Sequence, residues 1–166
     1  MTRPALLALA AVLLAVACAA QKRGHQHGEA KATVVRADTQ CGGEASAPTA
    51  RWISNEGALR AALGAGGVFG VEAVSPAVDF AKEGVLAIHM GQRTTGGYGL
   101  ALHDPTVTIA DHVGTVVVRF EEPAPGMMVT QVLTSPCLLL RMTRGSLREV
   151  RVVDPAGVVR ATALVR

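Results

Sequence analysis

A mainly β fold, an antiparallel sandwich or open barrel with one short helix near its N-terminal side, is predicted by three features of this sequence. Runs of alternating apolar and polar residues, rich in Val, Ile and Thr, recur from about residue 84 to the C-terminus. Turn residues such as Asp, Gly and Pro separate those runs, and only one stretch carries helical spacing. A single helix among many strands fits a sheet closed on itself or packed on another better than a parallel sheet with helical crossovers.

The chain opens with a leader. Residues 1–17 carry one charge, Arg3, followed by an apolar run from Ala5 to Ala17 that is too short for a spanning helix and reads as an export signal. It ends Leu14-Ala15-Val16-Ala17-Cys18, where small residues before a cysteine predict lipidation at Cys18; ordinary cleavage at Ala-x-Ala is the alternative. Ala19 rather than Asp follows the cysteine, so the expected site is the periplasmic face of the outer membrane, with a soluble periplasmic or secreted protein as the alternative. Without Arg3 the net charge is about +2, too small to advertise nucleic acid. The 149 residues from Cys18 onward suffice for one domain with a real core.

Residues 18–48 are polar and glycine-containing and predict a flexible, lipid-anchored tether, within which residues 33–36 are a candidate early strand. The β domain is expected over 49–166. It begins with a helix over 56–63, capped by Ser54 or Asn55, with Leu59 and Leu63 one turn apart and Gly64, Gly66 and Gly67 ending it. Strands follow at about 68–74, 84–90, 98–103, 106–110, 115–121, 129–134, 137–142, 147–153 and 158–164. Asp111-His-Val-Gly114 and Asp154-Pro-Ala-Gly157 read as hairpin connections.

The connection between the strands at 84–90 and 98–103 is the most distinctive. Arg93-Thr94-Thr95-Gly96-Gly97-Tyr98 sets a glycine pair beside the chain's one tyrosine. Glycine permits positive φ and close backbone approach, and the threonines supply hydroxyls. Two readings stand: a hairpin turn with Tyr98 packed in the core, or a presented recognition loop. Leu86, Ile88 and Met90 share one strand face, and Tyr98, Leu100 and Leu102 another.

Gly91-Gln-Arg-Thr-Thr-Gly-Gly-Tyr98, then Glu122-Pro123-Ala-Pro125-Gly126, then Val129-Thr-Gln-Val-Leu-Thr-Ser-Pro136 resemble the C-terminal domain of the PrcB family, most strongly over 84–142. Cys137 stands where an aromatic residue is commoner in that family. The family is named for a subunit that associates with and stabilises a secreted protease complex. The resemblance therefore implies a non-catalytic protein, without cofactor, that binds an exported protease or another envelope protein. Thr94, Thr95, Gly96, Gly97 and Tyr98 are the expected contact loop, with Pro123, Pro125 and Gly126 beside it. A fainter similarity is to the chagasin-like cysteine-protease inhibitors, whose Asn-Pro-Thr-Thr-Gly-Tyr loop enters a protease cleft; here Gln92-Arg93 replaces Asn-Pro and a second glycine intervenes. A structural envelope lipoprotein without an enzyme partner is the third reading.

With Cys18 assigned to lipid, Cys41 and Cys137 are expected to form a disulfide, which would close a loop of about 95 residues and stabilise by about 4 kcal/mol. Two separate buried thiols are the alternative. Nothing places a base beside Cys137, and Ser46, Ser54, Ser75, Ser135 and Ser146 lack the Gly-x-Ser-x-Gly context of a hydrolase nucleophile. His25-Gln-His27-Gly-Glu29 offers too few ligands on too loose a segment for a metal site, and His89, His103 and His112 receive no role. Arg141, Arg144, Arg148 and Arg151 form a basic stretch, read as a solvated sheet face or as a contact for an acidic partner or anionic lipid. Met127-Met128 is either an adaptable apolar contact at a loop tip or core filling.

Overall fold

The structure is a computed structural model that describes residues 27–64 and 77–166. Its strands are β1 (His27–Asp38), β2 (Thr49–Ile53), β3 (Glu83–His89), β4 (Gly99–Leu102), β5 (Thr106–Ala110), β6 (Val113–Glu121), β7 (Cys137–Thr143), β8 (Glu149–Val153) and β9 (Val159–Leu164), with the helix α1 at Glu56–Gly64. The leader, Cys18 and the strand expected at 68–74 lie outside the described residues.

The strands form one sheet in the order β2-β3-β7-β1-β5-β6-β8-β9. β4 pairs with β6 beyond the end of β5, so β4 and β5 run end to end along the same strand. The two outer strands, β2 and β9, come alongside each other, and the sheet curls into a nearly closed barrel. All strand pairings are antiparallel except β6 with β8. The mainly β fold with one short helix is as the sequence indicates, and the open barrel rather than the sandwich is its form.

Strands β3 and β7 are continuous apolar runs because both of their faces are covered. Leu86, Ile88, Leu138, Leu140 and Met142 point into the barrel, where they meet Trp52, Val107, Val116, Val118, Val150 and Val152. Val85, Ala87 and Leu139 point outward and are covered by Leu59 and Leu63 of α1, with Ile53 and the Cys41–Cys137 pair. At roughly 1.5–3 kcal/mol per fully buried aliphatic side chain, these two layers are the main source of stability. Gly84 is required by this packing: a Cβ there would run into the indole of Trp52.

Helix α1 starts where Asn55, not Ser54, caps it, its Oδ1 accepting from Ala58 N at 2.9 Å. At its other end Arg36 of β1 donates to Leu63 O at 2.5 Å and also holds Asp38 at 2.6 Å. The β5–β6 turn is tighter than the four residues expected. Asp111 and His112 both take positive φ, 50° and 67°, as a two-residue type I′ turn demands, and β6 already begins at Val113. In the β8–β9 turn Asp154 Oδ1 accepts from Ala156 N and Val158 N, each at 3.0 Å, with Gly157 at φ 82°.

Two expectations require correction. The segment assigned to the tether contains β1, a strand of 12 residues near the middle of the sheet, whose first half pairs with β5 and whose second half pairs with β7. The folded part therefore starts at His27 at the latest, not at Thr49. Residues 129–134 form no strand; they run irregularly, with one isolated β-bridge, Arg93↔Thr134, and individual hydrogen bonds that the carbonyls of Thr130 and Leu133 accept from neighbouring loops.

Candidate protein-contact site

Three loops meet at the end of the barrel where β1, β3 and β6 finish. They are residues 39–48 between β1 and β2, 90–98 between β3 and β4, and 122–136 between β6 and β7. The 90–98 connection is not a hairpin, because β3 pairs with β2 and β7 while β4 pairs with β6. It crosses the barrel mouth, so it must be held by other loops. Half of the hairpin reading survives, since Tyr98 is partly buried against the barrel core together with Leu102 and Phe120.

Arg93 organises the crossing. Its backbone pairs both ways with Thr134, N to O at 2.8 Å and O from N at 2.9 Å. Its guanidinium donates to Ser46 O and Gln92 O at 3.0 Å and to Met90 O at 2.9 Å, and stacks over Tyr98 with 5.6 Å between the central carbon and the ring centroid. Arginine suits the place because a planar fork satisfies several carbonyls while offering a face to the ring.

The two glycines are there for contact. Gly96 is buried, its N donates to Thr130 O at 2.9 Å, and a Cβ on it would strike Thr130 Oγ1. Gly97 takes φ 87°, and its missing Cβ would lie 2.9 Å from Pro123 Cβ and 3.1 Å from Val129 Cγ1. The backbone carbonyl of Thr95 accepts from Thr134 Oγ1 at 2.9 Å. Thus the loop is fixed at Arg93, Thr95, Gly96 and Gly97, and presents Thr94 to solvent.

The second predicted segment forms a turn. Met127 N donates to Ala124 O at 3.0 Å across Pro125 and Gly126, with Gly126 at φ 80°, the residue order of a type II turn. Pro123 packs on Gly97, so the structure does bring the two segments together; Pro125 and Gly126 stand farther out and are exposed. That turn lifts Met127 and Met128 into solvent, with Met128 99% exposed, which removes the core-filling reading. Val132 and Leu133 are exposed beside them, and no charged residue occurs between Pro123 and Leu140. An uncharged, partly apolar segment of this kind can bury itself against another protein at small desolvation cost.

The 39–48 loop supports the site from below. Gln92 N donates to Ala45 O at 2.7 Å, Cys41 N to Ser135 O at 3.0 Å, Ser135 N to Thr39 O at 2.9 Å, and Gln40 Nε2 to Leu133 O at 3.0 Å. The Cys41–Cys137 disulfide, with Cα atoms 5.9 Å apart, pins this loop to β7 as the sequence indicated. A cleft of about 170 Å³ remains between them, lined by Gly42, Gly43, Glu44, Thr49, His89 and Ser135 among others. Burial, aided by the charge of Arg51, holds the His89 imidazole below its ordinary pKa. Among the described residues no group of three or more His, Cys, Asp or Glu is placed to hold a metal ion.

Sequence reasoning missed the roles of Arg93, Thr134 and the 39–48 loop. Arg93 lay within the quoted motif, but its partners are backbone carbonyls, which leave no trace in side-chain patterning.

No curated protein and no solved structure matches the chain. A family model described as PrcB C-terminal matches residues 85–143. The matched stretch runs from β3 to the end of β7 and holds both the 90–98 crossing and the 122–136 loop, while β1, β2, α1, β8 and β9 fall outside it. The segment that carries both loops of the candidate site, residues 85–143, is thus the part of the chain that matches the PrcB C-terminal family.

Proposed function

We propose that this chain is a non-catalytic envelope lipoprotein that binds and stabilises or helps assemble a partner, an exported protease by the family's association. Lipid on Cys18 would hold it at the periplasmic face of the outer membrane and raise the local concentration of its partner, so that modest affinity suffices. The observation that carries this reading is the rigid face made by Thr94 and Gly97 together with the exposed Met127, Met128, Val132 and Leu133. An inhibitor that threads its loop into a cleft needs a projecting tip. Here Gly96 is buried and tied to Thr130, which favours a broad contact face over insertion.

The test is an affinity pull-down of the tagged full-length chain from detergent-solubilised membranes, with mass spectrometry of what is retained. Thr94→Arg and Met128→Asp alter exposed side chains and should leave folding intact. A protease retained by the unmodified chain and lost with both variants supports the reading. Retention unchanged by both variants, or no specific partner at all, rejects it in favour of a structural lipoprotein.

A further inference from the structure

The basic stretch noted in the sequence separates into two kinds of arginine. Arg141 and Arg151 are engaged, Arg141 with Glu83 at 3.8 Å and Arg151 with Glu149 at 2.7 Å. Arg144 and Arg148 are exposed and have no ion pair among the described residues. They flank a short loop held on all sides: Arg144 N donates to Lys82 O at 2.8 Å, Leu147 N to Arg144 O at 3.0 Å, and Arg148 N to His112 O at 2.8 Å. Between them Leu147 is buried, its Cδ2 3.0 Å from where Gly114 would carry a Cβ. Backbone and plug together present the two guanidinium groups from a fixed base.

This loop lies at the barrel end opposite the contact face. β7 runs from Cys137 at the contact end to Thr143, and the β5–β6 turn and the start of β3 sit with it. The described chain also enters here, since His27 pairs with Ala110 next to that turn. Lys31 and Glu29 are both exposed on the same half of β1. Whatever precedes His27 joins the fold at this end, which Arg144 and Arg148 make locally basic.

We infer that the end carrying Arg144 and Arg148 rests on an anionic phospholipid surface, with the contact face directed away from it. The orientation rests on the reading of Cys18 as the anchor. Eight residues separate Cys18 from His27, and fully extended they reach roughly 30 Å. A lipid there would keep the basic end within reach of headgroups. Each arginine at an anionic surface strengthens binding by about fivefold, an effect that salt screens.

The experiment uses the full chain with Cys18→Ser, so that no lipid is attached, and measures co-sedimentation with vesicles of phosphatidylcholine alone or mixed with phosphatidylglycerol. The leader, with Arg3, is the same in every variant, so its contribution cancels when the vesicle preferences of the variants are compared. Expected is tighter binding to the mixed vesicles, a preference reduced about 25-fold in Arg144→Gln/Arg148→Gln, unchanged in Arg51→Gln, and lost at high salt. Equal binding to both vesicle types overturns the inference, as does a preference left unchanged by loss of both arginines. Arginine-dependent binding to polyglutamate without a vesicle preference would assign the surface to an acidic protein instead. None of these outcomes bears on the contact face, whose variants lie at the other end.

Discussion

The guanidinium of Arg93 stands over the ring of Tyr98, five residues away, while its nitrogens hold the carbonyls of Met90, Gln92 and Ser46. One side chain thus ties the start of the crossing to its end and to a loop 47 residues earlier. Removing it by Arg93→Ala should lower unfolding free energy by about 1–3 kcal/mol, the range for charge-assisted hydrogen bonds in a partly buried site. Lysine should restore little, because a point charge cannot serve three carbonyls and a ring together. Urea unfolding of the three proteins checks this; a lysine variant as stable as the original would remove the fork argument.

Gly97 combines positive φ with contact against Pro123 and Val129. Gly97→Val forces a β-branched residue into that conformation and into the second loop, with an expected cost of about 2–4 kcal/mol. Thr94→Arg, by contrast, should stay within about 0.5 kcal/mol, as surface changes do. Thermal unfolding of both distinguishes scaffold from surface within one loop, and equal effects would contradict the geometry.

Gly84 tests the barrel rather than the site. Trp52 lies where its Cβ would be, so Gly84→Ala should displace the indole and cost about 1–3 kcal/mol. Near-ultraviolet circular dichroism should change with it, since Trp52 is the single tryptophan of the chain. An unaltered spectrum and unaltered stability would sink this account of the interior.

The disulfide stabilises more than any of these single contacts. Cys41 and Cys137 close a separation of 96 residues. Replacing both by serine should lower stability by about 4 kcal/mol in the chain-entropy model, and the same loss should follow reduction of the unmodified chain. If reductant leaves the denaturation midpoint in place, the bond is not contributing.

His89 sets a pH dependence whose sign can be worked out. Burial, then Arg51, lowers its folded pKa below 6.5, so as pH falls past that value the unfolded chain takes up a proton that the folded one refuses. The stability present above pH 6.5 is lost on acidification until the folded pKa is reached. His89→Gln should remove this part of the difference between pH 7.5 and pH 5, measured by urea unfolding; an identical pH slope in the variant would refute it.

Much of the fold was legible because its strands declare themselves locally. Val85 to Ile88 and Leu138 to Leu140 are apolar on both faces, and Asp111 and His112 accept the positive φ of a tight turn. Strand β1 showed in the sequence only as the short candidate at 33–36, because only Ala32 is fully buried along it and its place follows from two distant partners rather than from its own pattern. The opposite error arose at 129–134, where Val132 and Leu133 look like strand residues but are exposed at a loop surface. The 90–98 crossing was legible as a distinctive connection through its glycines and Tyr98. Its clamp was not, since Thr130, Thr134, Ala45 and Ser46 act there through backbone atoms or a single hydroxyl.

The position of β1 has a consequence for how the protein is made. It leaves the ribosome before every other strand, yet its partners are residues 106–110 and 137–142. At ordinary elongation rates of about 5–20 residues per second, the last of those partners follows roughly 5–20 s later. During that wait β3 is already synthesised and has neither β7 nor a closed interior to cover it. Correct pairing of Cys41 with Cys137 can likewise occur only after β7 has arrived. The emerging chain is therefore at greatest risk of aggregation until β7 has arrived, and formation of this one bond reports that the first-made strand has found its place.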